Sequence, residues 1–502
     1  MRRRLLALLA VLAGVTLALI GLEVSGAFSS SAPRSAPLLP PNVVALGADP
    51  HALQETPLGL GVSVGIDDRR DPSIAAVLRA AGVRVVRFGG LGSDDYDWET
   101  GCRYGDTGTQ YECTGAPGKN GALDQFLRFA AQVGAQPIIV VNGEVDDPQQ
   151  AARMVSFYER HCLPDLGRPG RPCMQPYWEI GTSPANWKHF AVPLAARLPE
   201  DAYTIQPDQY AALVVSYAAA MRRVAPCGNC LKIVADEWIT GATDQSWTDA
   251  VTAIDTHYSP LLYSSSGPEP VPSVADIMTA AQNGFGGRPS IDTWLSDLRE
   301  SLNQFSNGQH IGIMVGQWSI DTNAAALQEP PVYSGYAQAV FAADLFVHFW
   351  QDAQPGGSNP LLLATQYPLS GSGQEPFDYA TSLPRPATQV YALVDRYFGA
   401  HPLPLSLGDG LRRVGILAAA AVDDHRRASV LLVNSDQHHP HTLTLRGLPA
   451  GSRDLWWFEP DNAGNPGPLQ HTRLTGSSLT LAPWAIAVLR VDQQQPLPAQ
   501  ER

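Results

Sequence analysis

Charged side chains are scarce in this 502-residue chain: Asp, Glu, Lys and Arg make up 16% of it, against about 25% in an ordinary globular protein. Acidic residues outnumber basic ones, 48 to 34, which gives a formal net charge of −14 at pH 7. Beyond the extreme N-terminus, no cluster of Lys or Arg offsets the repulsion between this charge and a phosphate backbone. The sequence therefore predicts a protein that does not bind nucleic acid.

Cysteine is also rare, and the six cysteines fall into three close pairs. These are Cys102 with Cys113, Cys162 with Cys173, and Cys227 with Cys230. Such local pairs are typical of an oxidising compartment, so we predict three disulfide bonds. The segment PCGNC also resembles a redox motif, but it precedes a predicted strand, which favours a structural role. No second pair of ligands has the spacing of a zinc site, and the sequence predicts no metal and no other cofactor.

The first hydrophobic run extends from Leu5 to Leu22 and follows three arginines. A charged start followed by an apolar run is the pattern of an export signal. The run is just long enough to span a bilayer, so the sequence is consistent both with cleavage near Val24 and Gly26 and with retention as a membrane anchor. We expect residues 1–28 to be this signal peptide or anchor and to make the only membrane contact. The rest would be extracytoplasmic, either secreted or anchored.

Residues 29–41 are rich in Ser, Pro and Ala, which predicts a flexible linker. From residue 58 to residue 400, short apolar runs alternate with helical stretches, as in a parallel α/β fold. Eight such units close a (β/α)8 TIM barrel, whose chemistry lies at the C-terminal ends of the strands. The eight predicted strands are LGVSVGI near Leu60, VRVVRFG (83–89), PIIVVNG (137–143), YWEIG (177–181), LKIVADEW (231–238), AIDTHY (253–258), IGIMVGQW (311–318) and LLLATQY (361–367).

The pattern changes to a period of two in residues 401–491, with turn residues between the runs. This predicts a C-terminal antiparallel β-sandwich domain. Residues 42–57 are expected to add an N-terminal strand to the sandwich, and residues 492–502 to form a disordered tail. The predicted fold class is therefore α/β, a TIM barrel with a β-sandwich.

Aromatic and polar side chains gather at the predicted strand ends. Aromatic rings stack on the apolar faces of sugars while amides and carboxylates bind hydroxyls, so this composition predicts a carbohydrate pocket. Asp255 and His257 alternate on one strand face, but the sequence offers no third ligand for a metal. The candidate substrate-binding residues are Arg87, Tyr96, Trp98, Asn142, Thr182, Ser183, Trp187, Trp238, His257, Tyr258, Gln317 and Trp318.

Several of these segments resemble the clan-A glycoside hydrolases, especially the family 51 arabinofuranosidases and the related families 79 and 39. RFGGLGSDDYDW is similar to their Arg-Phe-Pro-Gly-Gly segment, and WEIGTSPANW to their Trp-Glu-Ile-Gly-Asn-Glu-Pro signature. VVNGEVDDPQQAARMVSFYE resembles their third strand and helix, DTHYSP their sixth-strand His-Tyr, and MVGQWSID their seventh-strand Glu-Trp. The resemblance covers roughly residues 58–490 and implies a barrel with a β-sandwich.

The resemblance also implies a general acid/base at the end of the fourth strand and a nucleophile at the end of the seventh. This chain has Thr182 and Ser183 at the first place and Gln317 at the second. A retaining mechanism needs two carboxyl groups about 5 to 5.5 Å apart, and neither a serine without a base nor an amide replaces them. We therefore expect a pseudo-glycosidase that binds an oligo- or polysaccharide and has no catalytic residues for its hydrolysis.

Two alternatives stay open. The protein is an active hydrolase if other carboxylates, Glu144 or Glu237, take over the chemistry; it is a structural component of the cell envelope if the barrel only provides surface.

Two side-chain contacts within the barrel are also expected. Glu179 would pair with Arg87 inside the barrel, and the Tyr258 hydroxyl would bond the Gln317 amide.

Overall fold

The computed structural model describes residues 39–47, 58–66, 68, 70–89, 93–94, 96–104, 111–112, 123–144, 147–161, 175–187, 205–226, 230–261, 273–319, 335–353, 358–367, 369, 376, 384–461 and 466–493. The predictions for residues 1–28, for most of the linker and for residues 494–502 concern segments outside these ranges. From Pro41 onward the chain forms one compact unit. In the described part, no helix has both the length and the apolar character needed to cross a membrane.

Eight parallel strands close into a barrel, which confirms the prediction from the alternating apolar runs. Each strand pairs with the next, and the eighth pairs with the first. Their sequences are almost continuously apolar because a parallel strand in a barrel is buried on both faces. Barrel strands 1 to 8 are Gly59–Val64, Val85–Phe88, Gln136–Val141, Tyr177–Ile180, Lys232–Asp236, Ala253–Tyr258, Gly312–Trp318 and Leu361–Gln366.

Helices cover the barrel, and four of them begin with a proline, Pro72, Pro148, Pro207 or Pro386, where a missing N–H group costs no hydrogen bond. The helices of the barrel are Pro72–Ala80, Leu123–Val133, Pro148–His161, Pro207–Val224, Val274–Asn283, Ile291–Asn303, Tyr336–Asp352 and Pro386–Tyr397.

The helix Tyr336–Asp352 packs on both the barrel and the second domain. Every residue from Tyr336 to Trp350 is buried, so this part of the helix has no solvent-exposed face. The Tyr336 hydroxyl lies 2.9 Å from the carbonyl oxygens of both Phe458 and Trp484. This helix therefore joins the two domains through a shared core.

Two sheets form the second domain, as the period-two pattern predicts. The strand Val43–Leu46 lies between Leu405–Leu407 and His441–Arg446; it pairs antiparallel with the first and parallel with the second. The four-stranded sheet has the order Leu405–Leu407, Val43–Leu46, His441–Arg446 and Ser478–Leu481. The six-stranded sheet has the order His401–Leu403, Ile416–Val422, Ala428–Asn434, Ile486–Gln493, Gly451–Phe458 and Gln470–Leu474.

A small three-stranded sheet, Tyr96–Asp97, Cys102–Tyr104 and Tyr111–Glu112, follows barrel strand 2. Neither Cys102 nor Cys230 is a free thiol. Cys113, Cys162, Cys173 and Cys227 lie outside the described residues, so the three pairings stay predictions.

Replacing Tyr336 by Phe removes the hydroxyl shared by two buried carbonyl groups. We expect the free energy of unfolding to fall by about 1 to 3 kcal/mol, because a buried acceptor loses its donor. Tyr397→Phe is the matched control, since the Tyr397 ring stacks on Trp456 and its hydroxyl bonds no described residue. Urea denaturation measures both variants, and equal losses would contradict the role of the Tyr336 hydroxyl.

Candidate functional site

A fully buried ion pair lies in the barrel below the C-terminal ends of the strands. Arg87 Nε donates to Glu179 Oε2 at 2.7 Å, and Arg87 Nη2 donates to Glu179 Oε1. The same Nη2 lies 3.7 Å from Asp255 Oδ2 and donates to Thr182 Oγ1 at 3.1 Å. The predicted pairing of Arg87 with Glu179 is confirmed. Both side chains are 0% exposed, so Arg87 lies beneath the residues of the mouth.

Two carboxylates share this one guanidinium. Burial raises the pKa of Glu179 to about 7, even though contact with Arg87 acts in the opposite direction, and the charge of Asp255 adds to the rise. Burial also raises the pKa of Asp255, while Arg87 opposes it. Removing one partner of a buried pair costs about 3 to 5 kcal/mol. The three side chains are therefore held together as a unit.

Asp255 is oriented through both of its oxygen atoms. Oδ1 accepts a hydrogen bond of 2.6 Å from the Gly316 N–H on the neighbouring strand, and Oδ2 lies 3.1 Å from His257 Nε2. A β-carbon at Gly316 would lie 2.1 Å from Asp255 Oδ1, so only glycine allows this approach. The carboxylate thus fixes the tilt of the imidazole at the barrel mouth.

His257 connects the buried cluster to the mouth, where its side chain is 24% exposed. Its Nδ1 lies 3.5 Å from Ser183 Oγ. Burial, with a contribution from the charge of Arg87, lowers the pKa of His257 to about 4, so the ring is neutral at pH 7. A neutral ring that donates from Nε2 to Asp255 presents Nδ1 as an acceptor for the serine hydroxyl.

Ser183 lies in a tight bend after barrel strand 4, where its backbone has the left-handed φ of 51°. Its N–H donates to Asp236 Oδ2 at 3.0 Å. The Thr182 N–H donates to Asp94 Oδ1 at 2.9 Å. Two carboxylates therefore hold consecutive backbone amides and set the direction of the half-buried Ser183 side chain.

The Trp187 ring closes this bend from the other side. Gly181 has a φ of +69°, and a β-carbon there would lie 2.2 Å from Trp187 Cζ2. Trp187 Nε1 donates to the Thr182 carbonyl at 3.2 Å, which locks the ring in place. Trp187, at 4% exposed, packs under the bend and is not a platform for a sugar.

Several acids stand beside the bend. Burial raises the pKa of Asp94 well above its ordinary range, and the charge of Glu144 adds to this. Burial raises the pKa of Asp236 to about 6. Neither Asp94 nor Asp236 was among the predicted site residues, although both sit at strand ends, where a barrel places its functional groups. Position in the strand-end segments was the signal that could have identified them.

Gln317 is in register with His257 on the adjacent strand and is also half-buried. Its carboxamide makes no hydrogen bond to another described residue. Ser183, His257 and Gln317 therefore form a group of partly exposed polar side chains at the mouth, on strand ends 4, 6 and 7.

Solved structures share this architecture. The chain is similar to an α-L-arabinofuranosidase from Thermotoga maritima, with a TM-score of 0.63 and 13% identity over 90% of this chain and 99% of that one. It is similar to a family 51 α-L-arabinofuranosidase from Bifidobacterium longum, with a TM-score of 0.63 and 15% identity over 90% and 100%. It is also similar to a family 44 endoglucanase from Clostridium thermocellum, with a TM-score of 0.61 and 12% identity over 90% of this chain and 99% of that one. The chain has a clan-A glycoside-hydrolase-like fold. No family model and no curated protein sequence matches it.

Two aromatic residues predicted to line the pocket of this clan-A-like barrel face its helices instead. Tyr258 lies with its hydroxyl 3.3 Å from the carbonyl oxygens of Ala280 and Pro289, so it does not bond Gln317. Trp318 is 0% exposed and packs against Phe346. Both expectations were wrong because side chains alternate along a strand: when His257 and Gln317 point inward, their successors point outward.

Glu237, one of the two alternative catalytic acids, also lies on the outer side. It accepts a hydrogen bond from Thr256 Oγ1, and Thr256 alternates with the inward-facing Asp255 and His257. Burial raises the pKa of Glu237 to about 8. With Trp238 it lines a separate groove with a volume of about 440 Å³. The structure therefore does not bring Glu237 to Ser183.

The remaining predicted residues are buried around the mouth or packed outside it. Asn142 Nδ2 donates to the Tyr96 carbonyl at 3.1 Å, and its Oδ1 accepts the Glu144 N–H at 3.0 Å. Tyr96 is 4% exposed, so its ring contributes to the core. Trp98 packs on Phe157 with ring centroids 5.4 Å apart. Asn142 and Glu144 thus stay at the mouth, while the two aromatic rings do not form a sugar platform.

The structure supplies the third metal-type ligand that the sequence did not show. One ligand atom each from Glu179, Asp255 and His257 lies within 4.8 Å of the others. Arg87 contacts both carboxylates, however, so a positive charge is already present where a metal would bring one. We assign the cluster to orientation of His257.

Replacing Gly181 by Ala tests the packing of the bend against Trp187. We compare it with Gly287→Ala, because Gly287 also has a positive φ, +84°, but no atom lies within 4 Å of its added β-carbon. Both variants pay the backbone strain of roughly 1 to 2 kcal/mol. Because the added methyl group overlaps with Trp187, Gly181→Ala should be less stable than the control by a further ~1 to 3 kcal/mol, the usual cost of overpacking a core. Equal unfolding free energies in urea would refute this.

Proposed function

We propose that the protein binds an oligo- or polysaccharide at the mouth of its clan-A-like barrel and does not cleave glycosidic bonds by the retaining mechanism. The observation that carries this proposal is the pair Ser183 and Gln317 at strand ends 4 and 7. A retaining enzyme needs two carboxyl groups there, about 5 to 5.5 Å apart. The Gln317 amide and the Ser183 hydroxyl, which lies beside a neutral histidine, cannot replace those two carboxyl groups.

The nearby acids do not supply a ready substitute. Glu179 is held by Arg87 and is fully buried. Asp94 and Asp236 are 8% and 6% exposed and accept hydrogen bonds from backbone amides of the bend. Glu144 is the acid that keeps the alternative of an active hydrolase open, since it lies at the mouth at 6% exposed.

Binding of a carbohydrate is supported by two observations. The similar solved structures are named as arabinofuranosidases and glucanases, and these act on carbohydrates. The partly exposed groups at the mouth are a hydroxyl, an imidazole and a carboxamide, which suit sugar hydroxyls.

A glycan array paired with the double variant Ser183→Glu and Gln317→Glu tests the proposal. We expect the native protein to bind at least one glycan class and to leave aryl glycosides intact, while the double variant gains measurable hydrolysis. The control, Ser183→Gln with Gln317→Glu, has similar bulk but one carboxylate and should stay inactive. Aryl-glycoside turnover by the native protein that Glu144→Gln abolishes would establish the alternative hydrolase. No binding to any glycan would favour a structural component of the envelope.

We also propose that the protein acts outside the cytoplasm, secreted or anchored by its N-terminal segment. The charged and apolar start of the chain supports this, as do the paired cysteines. Alkylation of the unreduced, denatured protein should label no thiol, and labelling should reach all six cysteines after reduction. Free thiols in protein purified from its native compartment would contradict the proposal.

A further inference from the structure

We propose that Ser183, His257 and Asp255 form a nucleophilic relay that hydrolyses a neutral carboxylic ester, an O-acyl group carried by the carbohydrate at the mouth. The identity of the carrier rests on the proposed function. The ester chemistry does not, because it depends only on the three side chains and their distances.

The geometry matches what an activated serine requires. Ser183 Oγ lies 3.5 Å from His257 Nδ1, and His257 Nε2 lies 3.1 Å from Asp255 Oδ2. A nucleophile, a base within reach and an acid that orients the base are the parts of a serine hydrolase, and the first distance is often long without substrate. In the usual serine triad, Nε2 faces the serine and Nδ1 faces the aspartate. Here the two nitrogens are interchanged, but one still faces the nucleophile and the other the orienting carboxylate.

The backbone at Ser183 supports the same role. A serine with a φ of 51° is uncommon, and such strain persists where the surroundings enforce it, often at functional sites. Asp236 holds the Ser183 N–H, while Trp187 holds the bend from below. The hydroxyl is thereby presented at the partly open mouth beside the imidazole.

Charged groups from four strands surround His257 and set its protonation. Asp255, which contacts the ring, comes from its own strand; Asp236 comes from strand 5, Glu179 from strand 4 and Arg87 from strand 2. Burial and the guanidinium lower the pKa of His257 to about 4, so the ring is neutral at pH 7 and its Nδ1 lone pair is free, although it is a weaker base than an ordinary histidine. Asp255 then stabilises the imidazolium that forms.

The reaction balances without a further reactant other than water. Ser183 Oγ attacks the ester carbonyl carbon while its proton passes to His257 Nδ1, and the Gln317 amide is available to donate to the carbonyl oxygen. The tetrahedral intermediate expels the sugar alcohol, which takes the proton from Nδ1. Water then gives a proton to Nδ1 as it attacks the acyl carbon. The bond between Ser183 Oγ and the acyl carbon breaks, Nδ1 returns the proton to Oγ, and the carboxylic acid and the free serine are released.

The acids around the mouth favour a neutral ester over an anionic substrate. Asp94, Asp236 and Glu144 lie beside the bend, and a phosphate or carboxylate would meet their charge or force them to keep their protons. An ester with a small uncharged acyl group, such as acetyl, is not repelled by these carboxylates and does not require them to stay protonated.

The test uses p-nitrophenyl acetate and a fluorophosphonate probe on the purified protein. We expect the probe to label the peptide that contains Ser183 and acetate release to exceed that of the control reaction without protein. Ser183→Ala should abolish labelling, and His257→Gln should lower both rates by about 100-fold or more, as loss of a general base does. Ser259→Ala is the matched control, because this serine also follows a strand but bonds Ser319 Oγ at 2.8 Å; its rates should be unchanged.

The pH profile separates a catalytic His257 from a structural one. With a base whose pKa is about 4, the rate should increase with pH up to about pH 5 and stay level from about pH 6 to pH 8, whereas an ordinary histidine would give that increase near about pH 6.5. Ser183→Cys keeps the bend and should be alkylated by iodoacetamide faster than the same variant carrying His257→Gln. No probe label on the native protein, or a label that His257→Gln leaves unchanged, overturns the proposal. Glycan binding without labelling would reject the esterase alone, and labelling without glycan binding would reject the carbohydrate carrier alone.

Discussion

Placing Arg87 in the closed interior of a barrel constrains the residues around it. A guanidinium removed from water must be met by carboxylates and hydrogen-bond acceptors, or the fold loses several kcal/mol. Here the acceptors come from different strands: Ser63 on strand 1 at 3.3 Å, and Glu179 on strand 4, with Asp255 on strand 6 close by. The charge therefore fixes the relative positions of strands that are distant in the sequence. The mouth above inherits that geometry, since Asp255 points the imidazole of His257.

The polar groups of the mouth have two properties that are independent of each other. Ser183 and Gln317 stand where the resemblance to the clan-A motifs implies a pair of carboxylates, and Ser183 has further polar groups beside it. It has a neutral imidazole beside it, and that imidazole has a carboxylate behind it. A hydroxyl without such a partner hardly ionises at neutral pH, whereas one within reach of a base can act as a nucleophile. The lack of a carboxylate at positions 183 and 317 and the contacts of Ser183 with His257 are separate properties of the same mouth.

The sequence predicted the framework well because it depends on local patterns. Eight apolar runs separated by helical stretches identify a barrel, and period-two segments identify a sandwich. Two edge strands were not predicted: Leu405–Leu407 is too short for its alternation to be recognised, and Gln470–Leu474 has a single apolar residue. The site was harder. The pairing of Arg87 with Glu179 followed from burial alone, but the contact between Ser183 and His257 depends on a backbone bend and a strand register that no local pattern reveals. The inward or outward direction of Tyr258 and Trp318 follows from alternation along the strand, once His257 and Gln317 are known to face the interior.

The strand Val43–Leu46 has a consequence for how the protein is made. It lies near the start of the chain but sits between strands from the far end, Leu405–Leu407 and His441–Arg446. During synthesis it emerges long before either neighbour, and the whole barrel is made in the interval. Until the last part of the chain has been made, the apolar side chains and backbone edges of this segment lack their native partners, and such a segment is prone to pair with the wrong strand. The sandwich can therefore be completed only after the whole barrel has been synthesised. A chain truncated before Leu405–Leu407 and His441–Arg446 would leave Val43–Leu46 without either of its neighbouring strands.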